Sequence, residues 1–195
     1  LEPSLDSCFH PDSYGYRPGK SAIQAIAVTR ERCWKYGWLL EYDIKGAFDN
    51  IDHSLLMKAL KRHTESDWIL LYIKRWLEAP MQQPDGEVQE RRQGTPQGGV
   101  ISPLFMNLFM HYAFDKWMSI HHPELPFARY ADDGIVHCRT LREAEQIKTV
   151  LEERFEECKL ALHPKKTKIV CCKADKPWID YPVVKFEFLG YEFRL

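Results

Sequence analysis

The sequence predicts an α+β fold, a mixed or antiparallel sheet with helices packed on one face, from three observations. Around the centre of the chain the elements run strand, helices, strand, strand, helix, strand. Two short apolar strands, ARYAD and GIVHC, meet at Asp133-Gly134, a residue pair that tight hairpins favour. Before them, the stretch from Ser102 to Phe114 is hydrophobic nearly all round, which marks a buried helix.

Each element has its own local signal. GKSAIQAIAVTRERCWKYG spaces Ile23, Ile26 or Ala27, Arg30 and Cys33 or Trp34 at helical intervals, with Gly37 as the stop. WLLEYDI follows as a short strand ending near Asp43. Asp52 or His53 opens a helix through Leu55, Leu56, Ala59 and Leu60, and Ser66 caps another from Trp68 to Leu77. MQQPDGEVQERRQG predicts a hairpin turning at Pro84-Asp85-Gly86. Ser102-Pro103 starts the apolar helix, proline being favoured in a first turn. Thr140 and Glu143 form a capping box for a helix striped by Leu141, Ala144, Ile147, Leu151, Phe155 and Cys158. TKIVCC and FEFLGYEF supply the last strands.

The 195 residues suffice for one sizeable core and a small second lobe. Hydrophobic residues make up 45% and charged residues 28%, so there is no disorder signature, and a net charge of −1 gives no hint of a polyanionic partner. Six cysteines without a CxxC pair predict free, mostly buried thiols in a reducing compartment and no zinc site. LEPSLDSCFH is neither a basic leader nor an apolar signal segment. The longest apolar run, interrupted by Asn107 and His111, is shorter than the roughly 20 residues that span a bilayer. A soluble piece of a longer protein is the expectation.

FARYADDGIV then poses the chemical question. Adjacent carboxylates repel, and burying Asp132 and Asp133 is costly unless a cation compensates. Alone, this stretch also fits a solvated Asx-type turn. EYDIKGAFDNIDH changes the balance, because there too an apolar strand ends in a carboxylate, Asp43, followed by a turn glycine. Two such strand ends side by side would gather three carboxylates, a donor set for hard divalent cations. A pair of those ions about 4 Å apart serves in-line phosphoryl transfer.

At this point the sequence resembles the reverse transcriptases of group II introns, the maturases. YADD (130–133), YDIKGAFDNIDH (42–53), GTPQGGVISPLFMNLFMH (94–111), SYGYRPGKSAIQAI (13–26), LHPKKTKIV (162–170) and FEFLGYEF (186–193) match that family in order and spacing. The resemblance implies a polymerase right-hand palm with part of the fingers. Residues 1–37 and about 54–93 would be partly fingers. Residues 38–53 and 94–195 would be mainly palm, with a primer-grip strand at 186–195 and no N-terminal fingers stretch or C-terminal thumb. It implies RNA-directed DNA polymerase activity with a role in intron splicing and mobility. Asp43, Asp132 and Asp133 would hold two Mg2+ ions, with Mn2+ as a substitute and the backbone of Ile44 as a further ligand. Lys166 would be the proton donor to the leaving pyrophosphate. Phe48, with Gly46 and Ala47 before it, would crowd the 2′ position of the incoming deoxynucleoside triphosphate. Gln97, Gly98 and Gly99 would line the template and nucleotide, and Arg17 and Lys20 would contact phosphate. Leu189, Gly190 and Tyr191 would position the DNA primer. The partners implied are group II intron RNA, an RNA template and a primer, in a bacterial cytoplasm, with no membrane; a homodimer stays open.

Six lysines against one acidic residue between 159 and 176 fit either a solvated basic face or nucleic-acid contact. RPGKS shares the end of a phosphate loop, but Tyr14 stands where that motif needs glycine. Nucleotide cyclases share a palm-like sheet but lack the PQGG and primer-grip stretches. The competing function is a splicing scaffold that binds intron RNA without polymerising, whose mark would be degraded carboxylates; here all three are intact.

Overall fold

The computed structural model describes residues 2–82, 86–96, 98–172 and 183–194. Helix α1 (Glu2–Asp6) leads through a loop to α2 (Ala22–Lys35). Ser21 caps α2 reciprocally: its hydroxyl accepts from the Gln24 amide at 3.3 Å while Gln24 Oε1 accepts from the Ser21 amide at 2.8 Å. Strand β1 (Trp38–Tyr42) follows, then α3 (Ala47–Asn50), α4 (His53–Leu60) and α5 (Asp67–Glu78). Asp52 caps α4, accepting from the Leu55 amide at 2.9 Å. The expected hairpin is present as antiparallel β2 (Met81–Gln82) and β3 (Val88–Gln89); Pro84 and Asp85 of its turn lie outside the described residues.

The apolar helix is not one helix. Helix α6 (Ser102–Met110) passes into a π-helical segment, His111–Asp115, before α7 (Lys116–His121) resumes α geometry. A sequence hydrophobic on every side carries no phase, so nothing in it marks where the winding loosens.

Strands β4 (Phe127–Tyr130) and β5 (Asp133–Cys138) correct the expected turn. Tyr130 pairs with Asp133, so the turn residues are Ala131 and Asp132, while Asp133 and Gly134 belong to β5. The positive φ, +56°, falls on Ala131. Gly134 answers a different need, since a Cβ there would lie 2.3 Å from the Tyr42 ring. Helix α8 (Leu141–Glu157), β6 (Lys168–Cys171) and the hairpin β7 (Lys185–Phe188) and β8 (Tyr191–Arg194) complete the order.

The central sheet runs β4-β5-β1-β6 with every neighbouring pair antiparallel. Its two faces bury different amounts of chain. Leu40, Tyr42, Val136 and Cys138 face a large core made with α4, α5, α6 and α8. Leu39, Ile135 and Val170 face a smaller cluster completed by α2 and by Phe186 and Phe188 of β7. All six cysteines are free thiols. Among the described residues no helix is long and apolar enough to cross a membrane.

His137 on β5 is fully buried, and neither ring nitrogen has a hydrogen-bond partner among the described residues. Burial pushes its pKa down from 6.5 to about 3. The unfolded chain therefore takes up a proton first, and stability falls as pH drops below about 6.5, by about 2 kcal/mol between pH 6.5 and 5. His137→Leu is expected to raise stability more at pH 5 than at pH 7 in denaturant melts. An equal gain at both would mean that the imidazole does not resist protonation.

Candidate active site

The carboxylates emerge on the face of the smaller cluster. Side chains alternate along a strand, so Glu41 and Asp43 share the side of Leu39, and Asp133 shares the side of Ile135. Continuing the β1–β5 register one pair past Tyr42 and Gly134 sets Asp43 against Asp133. Asp132, in the turn, stands beside them.

The segment 161–167 is laced to the end of β1. His163 donates its amide to the Asp43 carbonyl at 2.8 Å, Lys45 donates to the Ala161 carbonyl at 2.9 Å, and Ile44 bridges Leu162. This lacing delivers Lys166, whose Nζ forms an ion pair with Asp43 Oδ2. One residue pair further along, Lys168 meets Glu41 at 3.2 Å. A pocket of about 390 Å3 opens here, lined by Asp43, Asp133, Lys166, Glu187, Leu189 and Gly190 among others.

The electrostatics are those of crowded acids. Burial, then repulsion from Asp132 and Asp43, raises the Asp133 pKa to about 6, while Lys166 opposes the rise. Asp132 is raised too, by burial first and by Asp43, with Lys166 and Arg129 opposing. Glu41 rises to about 6, mainly through burial. In the other direction, the hydrogen bond to Asp43 and its charge hold the Lys166 proton more tightly. Among the described residues no group of three or more His, Cys, Asp or Glu side chains is gathered into a ready metal site. The donor set nevertheless suits a hard divalent cation: every side-chain donor is a carboxylate oxygen, and added positive charge would relieve the repulsion that raises Asp132 and Asp133.

Arg129, which the sequence reading passed over, supports the turn. It is completely buried, and its guanidinium holds Asp115 in a two-point ion pair at 2.7 and 2.6 Å. It also donates to the Ala131 carbonyl at 2.7 Å, to Ser13 Oγ at 2.8 Å and to Asn107 Oδ1 at 3.2 Å. Asn107 in turn donates to the Gly15 carbonyl at 2.7 Å. One cation thus ties together the carboxylate turn, the 13–15 loop, α6 and the π segment. A buried arginine in FARYA looks no different in sequence from an exposed one; the signals available were Asn107 and Asp115 inside an apolar helix.

Other expected residues divide. Leu189 (φ +53°) and Gly190 (φ +79°) form the two-residue turn of the β7–β8 hairpin and line the pocket, while Tyr191 is exposed. Gly98 (φ +77°) has open space where a Cβ would stand, leaving its backbone approachable; Gln97 lies outside the described residues. At Gly99 a Cβ would meet Ser102 Oγ at 2.8 Å, so that glycine serves packing. Gly46 takes φ +55° at the start of α3, Ala47 is buried, and Phe48 is half-buried against the large core, its carbonyl accepting from the Thr95 amide at 2.8 Å. None of these last three lines the carboxylate pocket. Arg17 and Lys20 lie away from the carboxylate pocket, with partners in the N-terminal loop. Arg17 donates to Asp6 Oδ1 at 2.7 Å and to the carbonyls of Asp6, His10 and Ser13, which leaves its guanidinium engaged inside the N-terminal loop. Lys20 donates to the Pro11 carbonyl at 2.7 Å and lies over the Tyr14 ring.

The family model described as reverse transcriptase (RNA-dependent DNA polymerase) matches residues 1–193. Protein YkfC of Escherichia coli (strain K12) is 30% identical over 206 residues, covering 87% of this chain and 54% of that protein. The group II intron-encoded protein LtrA of Lactococcus lactis subsp. cremoris is 32% identical over 118 residues, covering 60% of this chain and 19% of that one. The chain thus spans about half of the first relative and about a fifth of the second. In architecture it is similar to the telomerase of Candida albicans solved with a fragment of telomeric RNA, with a TM-score of 0.67 at 16% identity over 94% of this chain and 33% of that one.

Proposed function

The chain belongs to the reverse transcriptase (RNA-dependent DNA polymerase) family, and on that premise we propose that it is the catalytic part of a group II intron maturase, joining deoxynucleotides to a DNA primer on an RNA template. The observation that carries the proposal is the pocket where Asp43, Asp133 and Lys166 meet the β7–β8 turn. In this reading the sheet and α6 belong to the palm, and α2, α4 and α5 contribute to the fingers.

Asp43, Asp132 and Asp133, with the Ile44 carbonyl, are the groups that would hold Mg2+, or Mn2+ in its place. When bound, two such ions supply the acidity that ionises a primer 3′-hydroxyl and the charge that stabilises departing pyrophosphate. The chain's own residues do the rest. Lys166 keeps a proton on Nζ at the pocket edge, ready for the leaving group, because Asp43 holds it there. Leu189 and Gly190 present a turn backbone on which a primer end can be oriented. Gly98 lets a template or nucleotide approach its main chain. Phe48 stands five residues after Asp43, its ring half-buried against the large core, and would exclude a 2′-hydroxyl with the face that this packing leaves open. Intron RNA would be held mainly by backbone and shape.

Extension of a DNA primer on an RNA template in the presence of Mg2+ tests this. The protein is expected to extend, and the Asp132→Asn, Asp133→Asn double variant to lose at least about a hundredfold in rate while still binding RNA. Because that variant removes two negative charges from a crowded site, its melting temperature should not fall. Binding of intron RNA without any extension by the unsubstituted protein would turn the reading to a splicing scaffold.

A further inference from the structure

On the helical side of the sheet, opposite the carboxylates, a second pocket of about 270 Å3 opens between α4, the π segment and α8. Its floor is apolar, from Leu55, Ala59 and Phe109, and its rim carries Lys58, Arg62 and Arg154. Tyr112 stands in the wall. The Arg62 guanidinium lies over its ring at 5.4 Å, and so does the Lys116 ammonium at 5.6 Å, from outside the pocket lining. Its hydroxyl meets His63 Nε2 at 2.9 Å.

The π segment builds this wall. Arg154 of α8 donates to the carbonyls of Tyr112 at 3.1 Å and Ala113 at 3.0 Å, fixing the ring's position. The single lining carboxylate, Glu157, is already engaged by Arg154 at 3.0 Å. Lys58, Arg62 and Lys116 form no ion pair among the described residues. In a chain of net charge −1, two unpaired cations over one aromatic ring with a third, Lys58, on the adjoining pocket are a segregated patch.

We propose that this pocket is a second RNA site, taking phosphodiester groups on Lys58, Arg62 and Lys116 and an unpaired base beside Tyr112. Cations interleaved with an aromatic ring suit the alternation of phosphate and base in single-stranded nucleic acid. An acidic peptide would match the charge, but only a polynucleotide carries a charged group and a flat ring in every repeat. The inference rests on the reading of the protein as RNA-directed, and it adds a surface that engages RNA while the carboxylate face holds template and primer.

Fluorescence anisotropy with a labelled, unstructured oligouridylate tests it on the whole chain. The variant Lys58→Glu, Arg62→Glu, Lys116→Glu changes exposed side chains only. It is expected to bind at least about tenfold more weakly, with a slope of log affinity against log salt smaller by about 2. The glutamine triple variant should shift both readouts in the same direction by less, which separates lost contacts from a lost fold. Ultraviolet crosslinking of a 5-iodouridine oligomer should label the peptide containing Tyr112. Unchanged binding in the triple variant, alongside weakened binding in Lys165→Glu, Lys166→Glu, would overturn the second site and leave the polymerase reading intact. Displacement of the RNA by oligoglutamate at equal affinity would overturn it in favour of an acidic protein partner. If the unsubstituted protein does not bind the oligomer at all, both readings fall.

Discussion

Arg129→Met is expected to lower stability by about 3–5 kcal/mol and the melting temperature by roughly 6–20 °C. Methionine fills much of the same volume, so the loss comes from charge and hydrogen bonds rather than from a cavity. Asp115 would be left completely buried with its two-point partner gone, and an uncompensated buried charge is among the costliest things a core can contain. Ser13, Asn107 and the Ala131 carbonyl lose a donor at the same stroke. Adding Asp115→Leu should recover much of the stability, because a buried ion pair replaced on both sides by apolar groups is often neutral. Primer extension should not return with it, since nothing then holds the carbonyl beside Asp132. Two outcomes would sink this account: a double variant as unstable as the single one, or one as active as the parent.

Gly134→Ala is expected to be the most damaging single methyl group in the molecule. The new Cβ would stand 2.3 Å from Cζ and from the hydroxyl of Tyr42. Tyr42 has nowhere to go, for its ring is walled by Phe114 at 5.1 Å and Phe155 at 5.7 Å between centroids. The strands must therefore part at the pair next to Asp43 and Asp133. Overpacking of this kind costs about 1–3 kcal/mol. Under the proposed function, displacing these carboxylates by about 1 Å should cost about a hundredfold in rate. Tyr42→Leu in the same chain should restore part of the extension rate by making room. Wild-type activity in Gly134→Ala alone would show that β5 does not need to lie that close to β1.

Much of this architecture was legible because it is written locally. The stripe of α8 holds in the structure from Ala144 through Ile147, Leu151 and Phe155, all buried. The meeting of Asp43 with Asp133 followed from two apolar strands that each end in a carboxylate. What escaped was non-local. The Asp133-Gly134 pair carried a turn signal, but its glycine answers a ring on the neighbouring strand, and the turn sits one pair earlier on an alanine. Arg17 looked available in a polar loop, yet its partners Asp6, His10 and Ser13 lie in a segment with no periodicity to reveal that the loop closes on itself. Arg129 was invisible for a related reason, because three of its four partners, Ser13, Asn107 and Asp115, lie outside its own hairpin.

The π segment also constrains what lengths this chain tolerates. An α-helix advances about 100° per residue, and the wide turn at His111–Asp115 absorbs one residue more than regular winding would. Deleting one residue there would let the helix close to regular winding with α6 and α7 kept nearly in phase, so the change falls on the segment's own residues. Those residues include Asp115, paired with Arg129, and Tyr112, under Arg62 and Lys116. One widened turn thus carries supports for both faces of the sheet, and a one-residue deletion in it should be tolerated best where it removes neither Tyr112 nor Asp115.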